Sequence, residues 1–147
     1  MPTVSHIVEI NAPVSRVWAV LTDTAAYPEW NPFMIELDGS LVPGSRLAVT
    51  IAPPGAKRQR FTPTVTAVEP ERRLAWLGRL FIPGIFDGAH SFELEALTPG
   101  STRFIQSERF SGVLVPLLRG LLRSTEAGFA AMNTALAARA EGKTGVG

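Results

Sequence analysis

The feature that most constrains the fold of this chain is a change in the spacing of its apolar residues. Through the middle they alternate, as in Leu47, Val49 and Ile51, or in His90-x-Phe92-x-Leu94. A period of two sends successive side chains to opposite faces of a strand. From Pro116 to Ala140 the spacing changes. Leu117, Leu118, Leu121, Leu122, Thr125, Phe129, Met132 and Leu136 recur at steps of three and four, which is the stripe of an amphipathic helix. Each element type has one face that must leave water, and laying the helix across the sheet buries both. Short connections between the strands favour hairpins, so the pattern predicts an α+β fold with an antiparallel sheet. A curved sheet gripping one helix leaves space at the end where they diverge.

Local signals divide the chain further. Val4 to Ile10 reads as a strand, and Pro13 suits the start of a helix over Val14 to Thr22. Asp23 to Pro32 is a loop or broken helix, interrupted by Pro28 and Pro32. Strands are expected at Leu37–Leu41, Arg46–Ala52, Arg60–Val68 and Leu74–Phe81, with Pro63 marking an edge or bulge. Ile82-Pro83-Gly84 breaks the last of these. His90–Leu97 and Thr102–Phe110 form a hairpin, and a helix closes the chain from Pro116 to Ala140. The expectation is about seven strands, with two short helices after the first. A length of 147 residues suits one domain, residues 1–141, followed by a frayed tail at 142–147.

Composition removes several kinds of chemistry. With no Cys, thiolate zinc sites, iron–sulfur clusters and cysteine nucleophiles are impossible. His6 and His90 make no metal signature, so neither metal nor cofactor is expected. A net charge of +1 argues against nucleic acid. The most apolar stretch, Val113 to Leu122, is too short to span a bilayer, so no integral membrane association is expected. A cytoplasmic location fits the absence of Cys. At 46% hydrophobic and 18% charged the chain is apolar, against about 25% charged on average. That surplus implies a thick core, a partner surface or a lined cavity.

Several short motifs occur in a telling order. Ile10-x-Ala12-Pro13-x-x-x-Val17-Trp18-x-x-Leu21-x-Asp23 is followed by Trp30-Asn31-Pro32, Gly44, Val65-x-x-Val68-x-Pro70 and Leu74-x-Trp76. His90-x-Phe92 and Thr102-x-Phe104-x-x-x-Glu108-x-Phe110-x-Gly112 complete the series. Together they resemble the START-like, or SRPBCC, superfamily in its polyketide cyclase/dehydrase-like branch. The resemblance covers about residues 4–140 and implies a helix-grip fold with an apolar pocket between sheet and C-terminal helix. Members include lipid carriers, hormone receptors, aromatase/cyclases and chaperone activators, so the fold alone does not choose an activity.

The closing hairpin carries the main site candidates. Phe92 and Leu94 share parity with His90, and Phe104, Gln106 and Phe110 share parity with Glu108. Glu93, Glu95, Arg103 and Arg109 fall on the opposite, solvated parity. A three- or five-residue loop or a bulge keeps even positions opposite even ones, and the five-residue case sets His90 opposite Glu108. A buried carboxylate must be paired or protonated. His90 with Glu108 can therefore bind a ligand hydroxyl or carbonyl, move a proton, or make a structural hydrogen bond.

Trp76 stacks on a ligand ring or fills core. Trp30 and Met34 sit in an apolar loop that is either a pocket lid or a core cap. Leu121, Thr125, Phe129 and Met132 form a helical stripe, and Thr125 and Gly128 are small enough to leave room for a ligand or to allow close approach to the sheet. The apolar turn Phe81 to Phe86 suits a gate, a dimer contact or plain packing.

The reading favoured is binding or transport of a hydrophobic small molecule that is lipid-, polyketide- or isoprenoid-like. A cyclase/dehydratase using His90 and Glu108 as acid and base is the alternative, and a chaperone-activator-like interaction module is a second. A homodimer is compatible with each.

Overall fold

The alternating segments form antiparallel strands, and the C-terminal stripe forms one long helix. The computed structural model describes residues 3–80, 84, 86–117 and 119–142. Along the chain run β1 (Thr3–Ile10), α1 (Val14–Thr22), a 3-10 turn (Thr24–Ala26), α2 (Tyr27–Trp30), β2 (Met34–Asp38), β3 (Ala48–Ile51) and β4 (Gln59–Phe61). Then come β5 (Thr64–Glu69), β6 (Arg73–Leu80), β7 (Phe86–Thr98), β8 (Ser101–Ser111), a second 3-10 turn (Val115–Leu117) and α3 (Arg119–Ala140).

The strands build a five-stranded sheet, ordered β1-β8-β7-β6-β5, and a three-stranded sheet, ordered β2-β3-β4. A single sheet of about seven strands was the expectation, and Pro63 is the reason for the difference. The segment Arg60–Val68 does not run as one strand but breaks there into β4 and β5. Proline offers no N–H to a ladder, and its fixed φ turns the chain. The two sheets stay stitched at this corner. Gly44 N–H donates to the Val65 carbonyl (2.8 Å), Val65 N–H to Ser45 (2.8 Å) and Leu47 N–H to Pro63 (2.9 Å).

Other boundaries move, and the strand expected at His90–Leu97 runs from Phe86 to Thr98. The strand expected at Leu37–Leu41 lies at Met34–Asp38. The Asn31 side chain accepts from the N–H groups of Phe33 (3.0 Å) and Met34 (2.9 Å), which turns the chain into the strand early. The last helix follows a 3-10 turn and runs from Arg119 instead of Pro116. Most of the expected apolar turn, residues 81–83 and 85, lies outside the described residues, as do residue 118 and the tail from 143.

β7 and β8 pair in the even-on-even register, with His90 opposite Glu108. A bulge between Ala96 and Thr98 sets this register ahead of the tight Pro99-Gly100 turn. Phe92, Leu94, Phe104 and Phe110 are buried, while Glu93, Glu95 and Arg109 face solvent.

α3 packs on β1 and β8, burying Phe129, Met132, Asn133 and Leu136 completely. Its C-terminal carbonyls attract a cation, and Arg16 donates to Ala140 and Arg139 there, each at 3.4 Å. Nearer its start, the Phe33 ring lies against the helix at Gly128. A Cβ on Gly128 would stand 2.9 Å from Phe33 Cγ and closer still to the ring edge. The small residue thus admits a protein side chain, not a ligand. Gly128→Ala is expected to lower stability by about 1–3 kcal/mol through overpacking, net of the roughly 1 kcal/mol that alanine adds in helix propensity. Urea unfolding measures this, and a gain in stability would show that Phe33 moves aside freely.

Candidate functional site

A hollow of about 100 Å³ lies between the two sheets and the first two turns of α3. Phe33, Met34 and Ile51 line it from the β2–β4 side, with Phe61 of β4. Phe110 closes the opposite side, and Leu121 and Thr125 come from α3. Gln59, Arg60 and Arg79 border it as exposed residues. His90 and Glu108 supply a polar pair on the β7–β8 side of this mostly apolar wall.

His90 is held by aromatic rings. Trp76 stacks on it at 5.3 Å between centroids, Phe92 lies at 4.7 Å and Phe129 meets it edge-on at 5.1 Å. Its exposure is 3%, against 18% for Glu108. Nδ1 of His90 lies 3.4 Å from Glu108 Oε1, and Nε2 lies 3.0 Å from Gln106 Oε1. The Nδ1 contact is long for a charge-assisted bond.

Glu108 has room because β7 carries glycine beside it. A Cβ on Gly88 would collide with Glu108 Oε2. Gly78 of β6 pairs with Gly88 and faces the Phe61 ring, 3.6 Å from where its own Cβ would stand. These paired glycines thin the sheet where the carboxylate and Phe61 approach it.

The hydrogen bonding extends beyond the hollow. Gln106 Nε2 donates to Asn133 Oδ1 (2.7 Å), and Asn133 Nδ2 donates to the His6 carbonyl (3.0 Å) and faces His6 Nδ1 (3.2 Å). Asn133, a fully buried amide on α3, is thus bonded to β8 and β1.

Of the sequence candidates, Met34, His90, Glu108, Leu121 and Thr125 border the hollow. Trp76, Phe92, Phe129 and Gln106 stand behind His90 and hold it. Phe104 stacks on Phe92 one step deeper, at 5.8 Å, and Met132 is core. Trp30 packs edge-on against Tyr27 at 5.2 Å. The Thr125 hydroxyl donates to the Leu121 carbonyl (2.8 Å). Phe33 is 2% exposed and turned inward. Asn133, Gly88 and Arg79 were not singled out from the sequence. Only Asn133 had a legible signal, an amide on an apolar helical face.

Tyr27, the sole tyrosine, is buried away from the hollow and donates to the Leu21 carbonyl at 2.6 Å. It provides no phenolic acid at the site. Among the described residues no group of His, Asp and Glu is placed to hold a metal ion.

A long helix laid over antiparallel sheets, with a mostly apolar hollow at one end, is a helix-grip fold. The family described as polyketide cyclase/dehydrase and lipid transport matches residues 1–141, and the chain belongs to it. Among solved structures, the Zhui aromatase/cyclase from Streptomyces sp. R1128 is similar at 18% identity and a TM-score of 0.78, covering 95% of this chain and 93% of that one. Norcoclaurine synthase from Thalictrum flavum is similar at 16% identity and a TM-score of 0.74, covering 95% and 93%. A START superfamily protein from Mycobacterium smegmatis is similar at 21% identity and 0.71, covering 95% and 97%. At these identities the likeness is one of fold. No curated protein matches the chain in sequence. No helix among the described residues is long and apolar enough to cross a membrane.

Burial, helped by the nearby Asp23 carboxylate, pushes the Tyr27 phenol well above its ordinary value of 10.0. A raised value means that the fold favours the protonated form. This stabilisation is complete below about pH 10 and is lost as alkali ionises the unfolded chain first. Chemical denaturation between pH 8 and 11 is expected to show a steeper loss above pH 10 for the native protein than for Tyr27→Phe. Equal slopes would contradict the assignment.

Proposed function

We propose that the protein binds a compact hydrophobic small molecule, with its apolar body against Phe33, Ile51 and Leu121 and a hydroxyl or carbonyl on the His90–Glu108 pair. The observation that carries this reading is a mostly apolar hollow with the touching His90–Glu108 pair in its wall and further polar side chains, Gln59, Arg60 and Arg79, at its exposed border. Small-molecule sites generally have this composition, with few polar groups fixing orientation. Size narrows the class. Drug-sized ligands fill roughly 300–1,000 Å³, whereas an apolar cavity of about 150 Å³ takes a benzene ring. A hollow of about 100 Å³ therefore suits a single ring or a short branched chain. A larger polyketide- or isoprenoid-like molecule would extend past Arg60 and Arg79.

Catalysis is a second reading, and the same pair supports it. His90 and Glu108 touch each other and both border the hollow, as acid/base work on a bound carbonyl compound requires. Retained binding with lost turnover of a polyketide-type substrate in His90→Ala would favour it.

Calorimetric titration with phenol and with benzene tests the binding reading. The hydroxyl compound is expected to bind more tightly. Glu108→Leu is expected to weaken phenol about tenfold or more, the loss of a hydrogen bond to a charged group, and to leave benzene unchanged. Its stability should hold or rise, because a partly buried charge is replaced by an apolar group. Absence of saturable binding, or equal weakening of both compounds, would overturn the reading.

A further inference from the structure

We infer that Gln106 and Asn133 are positioning residues that fix which nitrogen of His90 carries a proton, and so leave the Nδ1–Glu108 contact as the place where a mobile proton resides. The argument starts at a group whose role is unambiguous. The His6 backbone carbonyl can only accept. The Asn133 atom 3.0 Å from it must therefore be the NH₂ group. That orientation turns Asn133 Oδ1 toward Gln106, so the Gln106 atom at 2.7 Å must be its own NH₂. Gln106 Oε1 is then left facing His90 Nε2 at 3.0 Å, and Nε2 must carry a hydrogen. Each amide passes on the polarity set by the one before it.

The consequence falls on the other nitrogen. A neutral imidazole has one donor and one acceptor nitrogen. With Nε2 committed as donor, a neutral His90 offers only a lone pair at Nδ1, 3.4 Å from Glu108 Oε1. A lone pair facing a carboxylate repels it. The contact becomes attractive when one proton lies between the two groups, either on Nδ1 or on Glu108. No other ionisable group makes a ring or hydrogen-bond contact with His90 among the described residues: Trp76 faces it from β6, Phe92 from β7 and Phe129 from α3. At the rim, Arg79 lies 4.0 Å from Asp87. The pair thus presents a transferable proton to the hollow.

The value of that proton to a ligand rests on the proposed binding function. The tautomer itself is tested on the ligand-free protein, so the two can fail separately. Long-range proton–nitrogen correlation spectra of the nitrogen-15-labelled protein report each imidazole nitrogen, and with only two histidines His6→Gln completes the assignment. His90 Nε2 is expected to be protonated wherever the protein is folded.

In Gln106→Met, a near-isosteric change that removes the strong acceptor, neutral His90 should move to the Nδ1–H tautomer and donate to Glu108. In Asn133→Asp the new carboxylate still accepts from Gln106. His90 should keep Nε2–H, although the loss of donation to the His6 carbonyl lowers stability. An unprotonated Nε2 in the native protein or in Asn133→Asp, or an unmoved tautomer in folded Gln106→Met, would overturn the inference. The native and Asn133→Asp spectra decide the matter if Gln106→Met does not fold.

Discussion

The structure depends on how α3 meets the sheet along its length. In its second half the contact is solid. Phe129, Met132 and Leu136 are fully buried, and the Gln106–Asn133 bond sits among them. In its first half the helix meets the Phe33 ring at Gly128, and Leu121 and Thr125 border a hollow instead of a filled core. Close packing is the norm inside proteins. The open region therefore needs walls that do not collapse onto each other. The Pro63 corner and the inward Phe33 ring provide that separation.

Much of this architecture was legible because period alone decides which face a side chain takes. The hairpin residues were placed on the correct sides before any geometry was known, and the register followed once a bulge restored even-on-even pairing. The helical stripe likewise located α3 to within a few residues. What periodicity could not settle was continuity. Pro63 was read as an edge or bulge, yet it divides one strand into two that belong to different sheets. Asn31 turned an expected loop residue into the hydrogen-bond acceptor that starts β2. Both effects come from single side chains acting on the backbone, and alternation is blind to them.

The site was legible in part for the same reason. Parity put His90, Gln106 and Glu108 on one face, but it could not say which of them reach a cavity and which support those that do. Gln106 belongs to the second group because Asn133, distant in sequence, meets it from the helix. Aromatic residues that looked suited to a ligand, Trp76, Phe92 and Phe129, surround the histidine ring instead. Gly88 was unreadable in advance, since its meaning lies in a carboxylate arriving from the neighbouring strand.

The amide relay has a wider bearing on how such an interior tolerates change. Its members are specified by direction as well as by volume. Replacing an amide by a carboxylate of the same outline keeps the shape yet exchanges a donor for an acceptor, so a buried carbonyl such as that of His6 then faces another acceptor. Interiors of this sort are constrained by handed grammar as much as by fit, and shape-matched exchanges along the relay belong among the costly ones.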